Sequence, residues 1–198
     1  MEAPLFPAQL LTERLLMRVA EPDDAPEVNA AITASLAELG RWLDWARAGP
    51  GAAETRAFLV EARGRFEARA EVPVLCFVRD GGALCGGGGI QNIRWDERSF
   101  EIGYWLRTSQ TGRGYATELT HALTDHCLRS LGAKRVEILC SDRNAASRRV
   151  AERAGYALER IVPQDRTDPD GVRAGSCVYV ARPGYGEIPR KLPPPPET

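Results

Sequence analysis

The chain has 198 residues, which reads as one domain of the usual size of about 100 to 200 residues and leaves enough length to bury a core. Hydrophobic residues at 43% and charged residues at 27% exclude a largely disordered chain. With 26 Lys plus Arg against 27 Asp plus Glu there is no general basic field for nucleic acid or an anionic membrane surface, so affinity has to come from a shaped site.

Leu10 to Val19 predicts a first strand, and Glu21-Pro22-Asp23-Asp24 a turn and helix start. Ala25 to Ala46 carries Val28, Ile32, Leu36 and Leu39 at three- and four-residue spacing and predicts an amphipathic helix that breaks near Gly40. After Gly49-Pro50-Gly51, the stretch Ala53 to Ala70 predicts a second helix with Phe58, Leu59, Ala62 and Phe66 on its buried face. Val72 to Val78 and Ala83 to Trp95 predict two strands joined at Gly81-Gly82. The run Gly86 to Gly89 inside the second points either to close approach of a substrate backbone or to a flexible bulge. Ser99 to Leu106 and Arg135 to Cys140 predict further strands, separated by a helix that opens in the loop Thr111 to Ala116 and stops at Gly132. Asn144 to Ala154 predicts a helix closed by Gly155, and two late strands, Tyr156 to Val162 and Cys177 to Ala181, join across Asp168-Pro169-Asp170-Gly171. The pattern is α/β (α+β), a single domain over 1–183 followed by a Pro-rich tail over 184–198 in which Pro193 to Pro196 are consecutive.

Five cysteines, Cys76, Cys85, Cys127, Cys140 and Cys177, make an odd number without C-x-x-C spacing, which argues against a disulfide framework or a structural zinc site and for a reducing compartment. His121 and His126 lack paired metal-ligand spacing, so no metal is expected. No signal-peptide pattern precedes Arg14 and no run of apolar residues is long enough to span a bilayer; a cytoplasmic protein without membrane or nucleic-acid partners is expected.

The chemistry is carried by Phe100-Glu101-Ile102-Gly103-Tyr104-Trp105-Leu106 followed by Gln110-Thr111-Gly112-Arg113-Gly114-Tyr115-Ala116-Thr117, a strand, a glycine loop and a helix start. Gly112 and Gly114 let the backbone turn tightly, so that N–H groups at the helix start point at an anion, and a phosphate-bearing ligand fits best. The loop lacks the Walker pattern, and Thr117 stands where the third glycine of a dinucleotide fingerprint would be.

With Ser141-Asp142-Arg143-Asn144-Ala145-Ala146-Ser147 and Val150-Ala151-Glu152-Arg153-Ala154-Gly155-Tyr156 added, the chain resembles the GCN5-related N-acetyltransferase (GNAT) superfamily, and within it the RimJ/RimL-type ribosomal-protein branch. Thr12 to Arg18 resembles the opening strand of that branch, Trp42-Leu43-Asp44-Trp45 its early tryptophan pair, and Glu101 to Leu106 its central strand. The resemblance implies a mixed, splayed central sheet of about seven strands flanked by helices, with acetyl-coenzyme A as co-substrate in the cleft and an amine acceptor entering from the other side. The edge Tyr104, Trp105 and Leu106 would pair with the pantetheine amides, and Thr111, Gly112, Arg113, Gly114, Tyr115, Ala116 and Thr117 would meet the pyrophosphate. Thr111 stands where the family's motif usually opens with Gln or Arg, and Gln110 comes one residue early.

Glu101 is the candidate base, unless it is only a surface glutamate on a half-exposed strand. Asn144 is a helix N-cap and a cofactor-side residue, with Ser147 at the third helical position. Many members carry a tyrosine as acid for the thiolate where this chain has Ala151; Ser147, one helical turn earlier, resembles the serine of the RimJ/RimL-type branch, and the resemblance implies that it is the donor and a cofactor contact. Cys140 is expected in the core, and Trp42 and Trp45, three apart, either fill the core or line the acceptor groove. The acceptor is read as a protein N-terminal α-amine, or alternatively as a small amine such as a polyamine, amino acid or aminoglycoside; a non-catalytic acyl-coenzyme A-binding regulator is the third reading. The choice between monomer and homodimer is left open.

Overall fold

The computed structural model describes residues 5–184; the greater part of the Pro-rich tail expected at the C-terminus lies outside the described residues. The strands are β1 (Leu10–Leu11), β2 (Leu15–Val19), β3 (Val72–Val78), β4 (Leu84–Arg94), β5 (Ser99–Leu106), β6 (Arg135–Ser141), β7 (Ala157–Thr167) and β8 (Arg173–Ala181). The helices are α1 (Ala25–Thr33), α2 (Leu36–Leu39), α3 (Asp44–Arg47), α4 (Ala52–Glu67), α5 (Tyr115–Asp125) and α6 (Ala145–Arg153). One eight-stranded mixed sheet runs β1-β2-β3-β4-β5-β6-β8-β7. The strand beyond the seven expected arises because Leu10 to Val19 is a tight hairpin: the Thr12 N–H donates to the Leu15 carbonyl and turns the chain between Leu11 and Leu15.

The sheet separates two apolar layers. Val72, Val74 and Cys76 alternate with Leu75 along β3, the first set packing with Leu119 and Leu123 of α5 and the second with Val28 and Ile32 of α1 and Leu59 of α4. The segment expected as one helix with a break near Gly40 is three short ones. Its first interruption is at Ser35, which is fully buried: its hydroxyl donates to the Ala31 carbonyl at 2.8 Å and accepts the Thr108 N–H at 3.0 Å, tying the break to the exit of β5. On α4 the buried face is Thr55, Leu59 and Ala62 with Phe66 against the core, while Phe58 is 56% exposed beneath the Arg65 guanidinium. Spacings of four, three and four residues from Thr55 keep one helical face, and Phe58 falls outside it.

At the start of the glycine run the β3–β4 register shifts between Cys76 and Phe77, a bulge beside Gly86, but Gly88 and Gly89 have a different cause from either one expected. A Cβ at Gly88 would stand 2.3 Å from the Gly103 oxygen, and one at Gly89 would stand 2.1 Å from the Val72 oxygen. The close approach is therefore by the backbones of β5 and β3, and any side chain there would force the sheet apart.

His126, on the turn of π-helix that extends α5, is 8% exposed and bonds through Nε2 to the Leu5 carbonyl at 2.8 Å, with its ring edge-on to Phe6. Burial lowers its pKa, the Leu5 contact opposing. The unfolded chain then binds a proton below about pH 6.5 that the folded chain refuses, so stability is full above that pH and falls as pH drops through the lowered value. Melting temperatures at pH 7.5 and 5.5 are expected to differ more for wild type than for His126→Gln; equal differences would remove this role. No helix among the described residues is long and apolar enough to cross a membrane.

Candidate active site

The site begins where the sheet fails. β5 and β6 are parallel and pair only at Ser99–Arg135, Phe100–Val136 and Glu101–Glu137. Past that point β5 stays with β4, through Gly86–Leu106, and β6 stays with β8, through Ser141–Ser176. A V-shaped opening results, one wall of which is the edge of β5 from Ile102 to Leu106, with no strand partner on that side among the described residues. Such an edge presents backbone donors and acceptors to an extended ligand carrying amides.

Beyond the edge, Thr111 is folded back by its N–H and hydroxyl onto the Thr108 carbonyl, and Gly112 and Gly114 take φ values of 77° and 82°, in the left-handed region. Gly114 caps α5 from that conformation. Among the described residues no N–H from Gly112 to Thr117 donates to a protein acceptor, while Glu118 N–H starts the helical ladder on the Gly114 carbonyl. Arg107 Nε, a buried donor beside this turn, also lacks a hydrogen-bond partner among the described residues. Unpaired donors around a helix start fit a pyrophosphate.

On the α6 side, Asn144 Oδ1 accepts the Ser147 N–H at 3.1 Å, the expected cap with Ser147 at the third helical position. The Ser147 hydroxyl lies 2.9 Å from the Tyr104 hydroxyl of β5, a bond that spans the V. Burial holds the Tyr104 phenol well above its ordinary value, with the Ser147 bond opposing, so it is a neutral donor throughout the physiological range. Cys140 is 6% exposed within the core cluster, as expected, but its thiol also contacts the Ser147 side chain; burial pushes it up to about 11.

Glu101 points to the other face of the sheet, with Gly103 and Trp105 by strand alternation. Gln91, opposite it in the β4–β5 register, donates to Oε1 at 2.7 Å, and Asn92 donates to Oε2 at 2.7 Å. The register of β4 shifts after Gln91, and Asn92 sits at φ 47°; a bulge thus brings two successive residues to one carboxylate. Glu137, its neighbour on β6, is held by Arg135 and Arg94, whereas Glu101 has no cationic partner among the described residues.

The sequence profile of the GNAT acetyltransferase domain matches residues 14–157. The chain belongs to the GNAT family. YdaF of Bacillus subtilis (strain 168), named as a ribosomal N-acetyltransferase, is 29% identical over 149 residues, 75% of this chain and 81% of its own. The ribosomal-protein-serine acetyltransferase of Escherichia coli (strain K12) is 37% identical over 67 residues, 34% of this chain and 37% of its own. In three dimensions RimL, a ribosomal L7/L12 α-N-protein acetyltransferase solved with coenzyme A in disulfide linkage to a cysteine, superposes with a TM-score of 0.82 at 24% identity, over 88% of this chain and 97% of that one. The protein is accordingly an acetyl-coenzyme A-dependent GNAT acetyltransferase.

In this GNAT chain the tryptophan pair does not share a helix. Trp42 lies in the turn before α3 beside the Arg41 guanidinium, because the chain makes tight turns from Gly40 to Leu43. Trp45, on α3, is 47% exposed, and its ring meets that of Trp105 edge-on at 6.2 Å. Neither tryptophan is buried in the core. α3 is held over this face by Arg47, which donates to the Pro169 carbonyl of the β7–β8 turn. That turn is fixed in its own right: Asp168, with a fully buried side chain, accepts from Ser141 at 2.8 Å and pairs with Arg143 and Arg166, each at 3.0 Å. Gln91, Asn92 and the Tyr104 hydroxyl are the site features that spacing alone did not single out.

Proposed function

We propose that the acceptor is a protein N-terminal α-amine, of the ribosomal-protein type named for the relatives, and that Glu101 and Ser147 serve its acetylation from opposite faces of the opened sheet. The observation that carries this reading is the Glu101 carboxylate held by two neutral amides beside the V, with no cation paired to it among the described residues. An α-ammonium group is attracted there, and its proton passes to the carboxylate, directly or through one water. The amine nitrogen then bonds to the acetyl carbon as the carbon–sulfur bond breaks; Ser147, backed by Tyr104, offers a hydrogen bond to the departing thiolate, which takes up the second proton that the nitrogen sheds as it becomes an amide, while Glu101 returns the first to solvent.

A terminal α-amine near pKa 8 demands less of this base than a lysine near 10.4, by about 3 kcal/mol. Exposed apolar side chains on the Glu101 face, Trp45 at 47% and Leu139 at 42%, suit the first residues of a peptide better than a compact polar amine. The test is a thiol-release screen over short peptides with free amino termini, their lysine-only counterparts with blocked termini, and polyamines, amino acids and aminoglycosides. Turnover confined to free-terminus peptides is expected, with Trp45→Ala raising the peptide KM more than the acetyl-coenzyme A KM. Preference for a small amine would replace the reading.

A further inference from the structure

Thr12-Glu13-Arg14-Leu15 takes no part in the chemistry above, yet its side chains end at the glycine loop. In the turn between β1 and β2, Thr12 Oγ1 donates to Glu118 Oε1 at 2.6 Å, and Arg14 holds the same carboxylate by its N–H at 2.9 Å and by Nε at 2.7 Å. The other arm of that guanidinium, Nη1, donates to the Arg113 carbonyl at 2.9 Å. Its Cζ lies 5.0 Å from the Tyr115 ring centroid, and a Cβ added at Gly114 would be 3.4 Å from Nη2. One side chain from the fold's edge hairpin, 99 residues before Arg113 and 104 before Glu118, thus grips the loop and the first turn of α5 together.

Two consequences follow from elementary chemistry. A trans peptide sets its C=O and N–H in opposite directions, so fixing the Arg113 carbonyl toward Arg14 aims the Gly114 N–H away from it. Glu118, placed in the first turn of α5, would oppose an anion bound at that helix start. Burial works against its ionised form, but the bonds from Thr12 and Arg14 and the arginine's charge outweigh it and hold the carboxyl below its ordinary range. Glu118 is therefore an anion whose field Arg14 cancels.

We propose that Arg14 is a positioning residue for coenzyme A: it orients the Gly114 N–H toward the pyrophosphate and neutralises Glu118 beneath it. The proposal rests on the assignment of the Gly112–Thr117 loop to the pyrophosphate. Arg14→Met is expected to raise the Kd of coenzyme A and of its pyrophosphate fragment 3′-phospho-ADP, measured by calorimetry, about ten- to hundredfold. KM for acetyl-coenzyme A should rise in parallel while kcat at saturation is retained, a split that general loosening of the fold would not produce. Adding Glu118→Gln should recover part of the affinity, since the uncancelled carboxylate is gone. Should Arg14→Met not fold, Arg14→Lys keeps the charge and loses the two-pronged contact, and a weakening of about fivefold or more is expected. Wild-type affinity in a folded Arg14 variant, with Gly114→Val unable to bind, overturns the role of Arg14 and leaves the loop assignment standing. Wild-type affinity in both overturns the loop assignment and the proposal with it.

Discussion

Glu101→Gln is expected to lower kcat about a hundredfold at pH 7 while leaving the KM for acetyl-coenzyme A within about twofold of wild type, as befits loss of a general base that does not touch the cofactor. The separation of effects comes from the sheet. Glu101 alternates with Ile102 and Tyr104, so the edge assigned to the pantetheine keeps its backbone whichever side chain stands at 101. Glutamine preserves the volume but presents one N–H₂ group where Gln91 and Asn92 both offer donors, so one of the two bonds has to break or turn round. Between pH 7 and 9 the neutral fraction of an α-amine rises about tenfold, and the variant should regain about that much relative to wild type. Asn92→Gly, which suits the left-handed backbone at φ 47° and deletes only the side-chain donor, should reproduce a smaller part of the defect and add nothing in the Glu101→Gln background. A uniform loss across the pH range would point to positioning alone, and wild-type rates throughout would take Glu101 out of the reaction.

What could be read before folding was what is encoded over a few neighbouring residues. The cap at Asn144 and the left-handed glycines at 112 and 114 are decided by spacings of two to three residues, and they stand where the sequence places them. The late hairpin was legible from Asp168 to Gly171 because a turn needs only its own residues. Its strands run further than expected, to Thr167 and from Arg173, because Asp168 clamps the turn to Ser141 and Arg143, partners outside any local window. The Gln91–Glu101 contact depends on the register of a hairpin and on one bulge, and a slip of one residue would send Gln91 to the opposite face. The reach of Arg14 to Glu118 crosses 104 residues and has no signal in hydrophobic periodicity. The close approach at Gly88 and Gly89 was misread for the same reason: the backbones that exclude a Cβ there belong to two other strands.

Ser147→Ala is expected to lower kcat about ten- to hundredfold, the scale for one hydrogen bond to a developing anion of about 1.5 to 3 kcal/mol, with the Kd of coenzyme A little changed. The position that supplies a tyrosine in many family members is here Ala151, fully buried and without a proton to give. A tyrosine still reaches the site, but from β5: Tyr104 spans the V to Ser147, and its burial keeps the phenol protonated. Ser147 can turn its proton toward the sulfur because Tyr104 can donate to the serine oxygen in turn, a chain in which each bond polarises the next. Tyr104→Phe should therefore cost less than Ser147→Ala on its own, and the double variant should be no slower than Ser147→Ala. Multiplicative losses in the double variant would show the two hydroxyls acting separately. Turnover of Ser147→Ala equal to wild type would sink the assignment, and an equal collapse of coenzyme affinity would make Ser147 a holder of the cofactor with no part in releasing the thiolate.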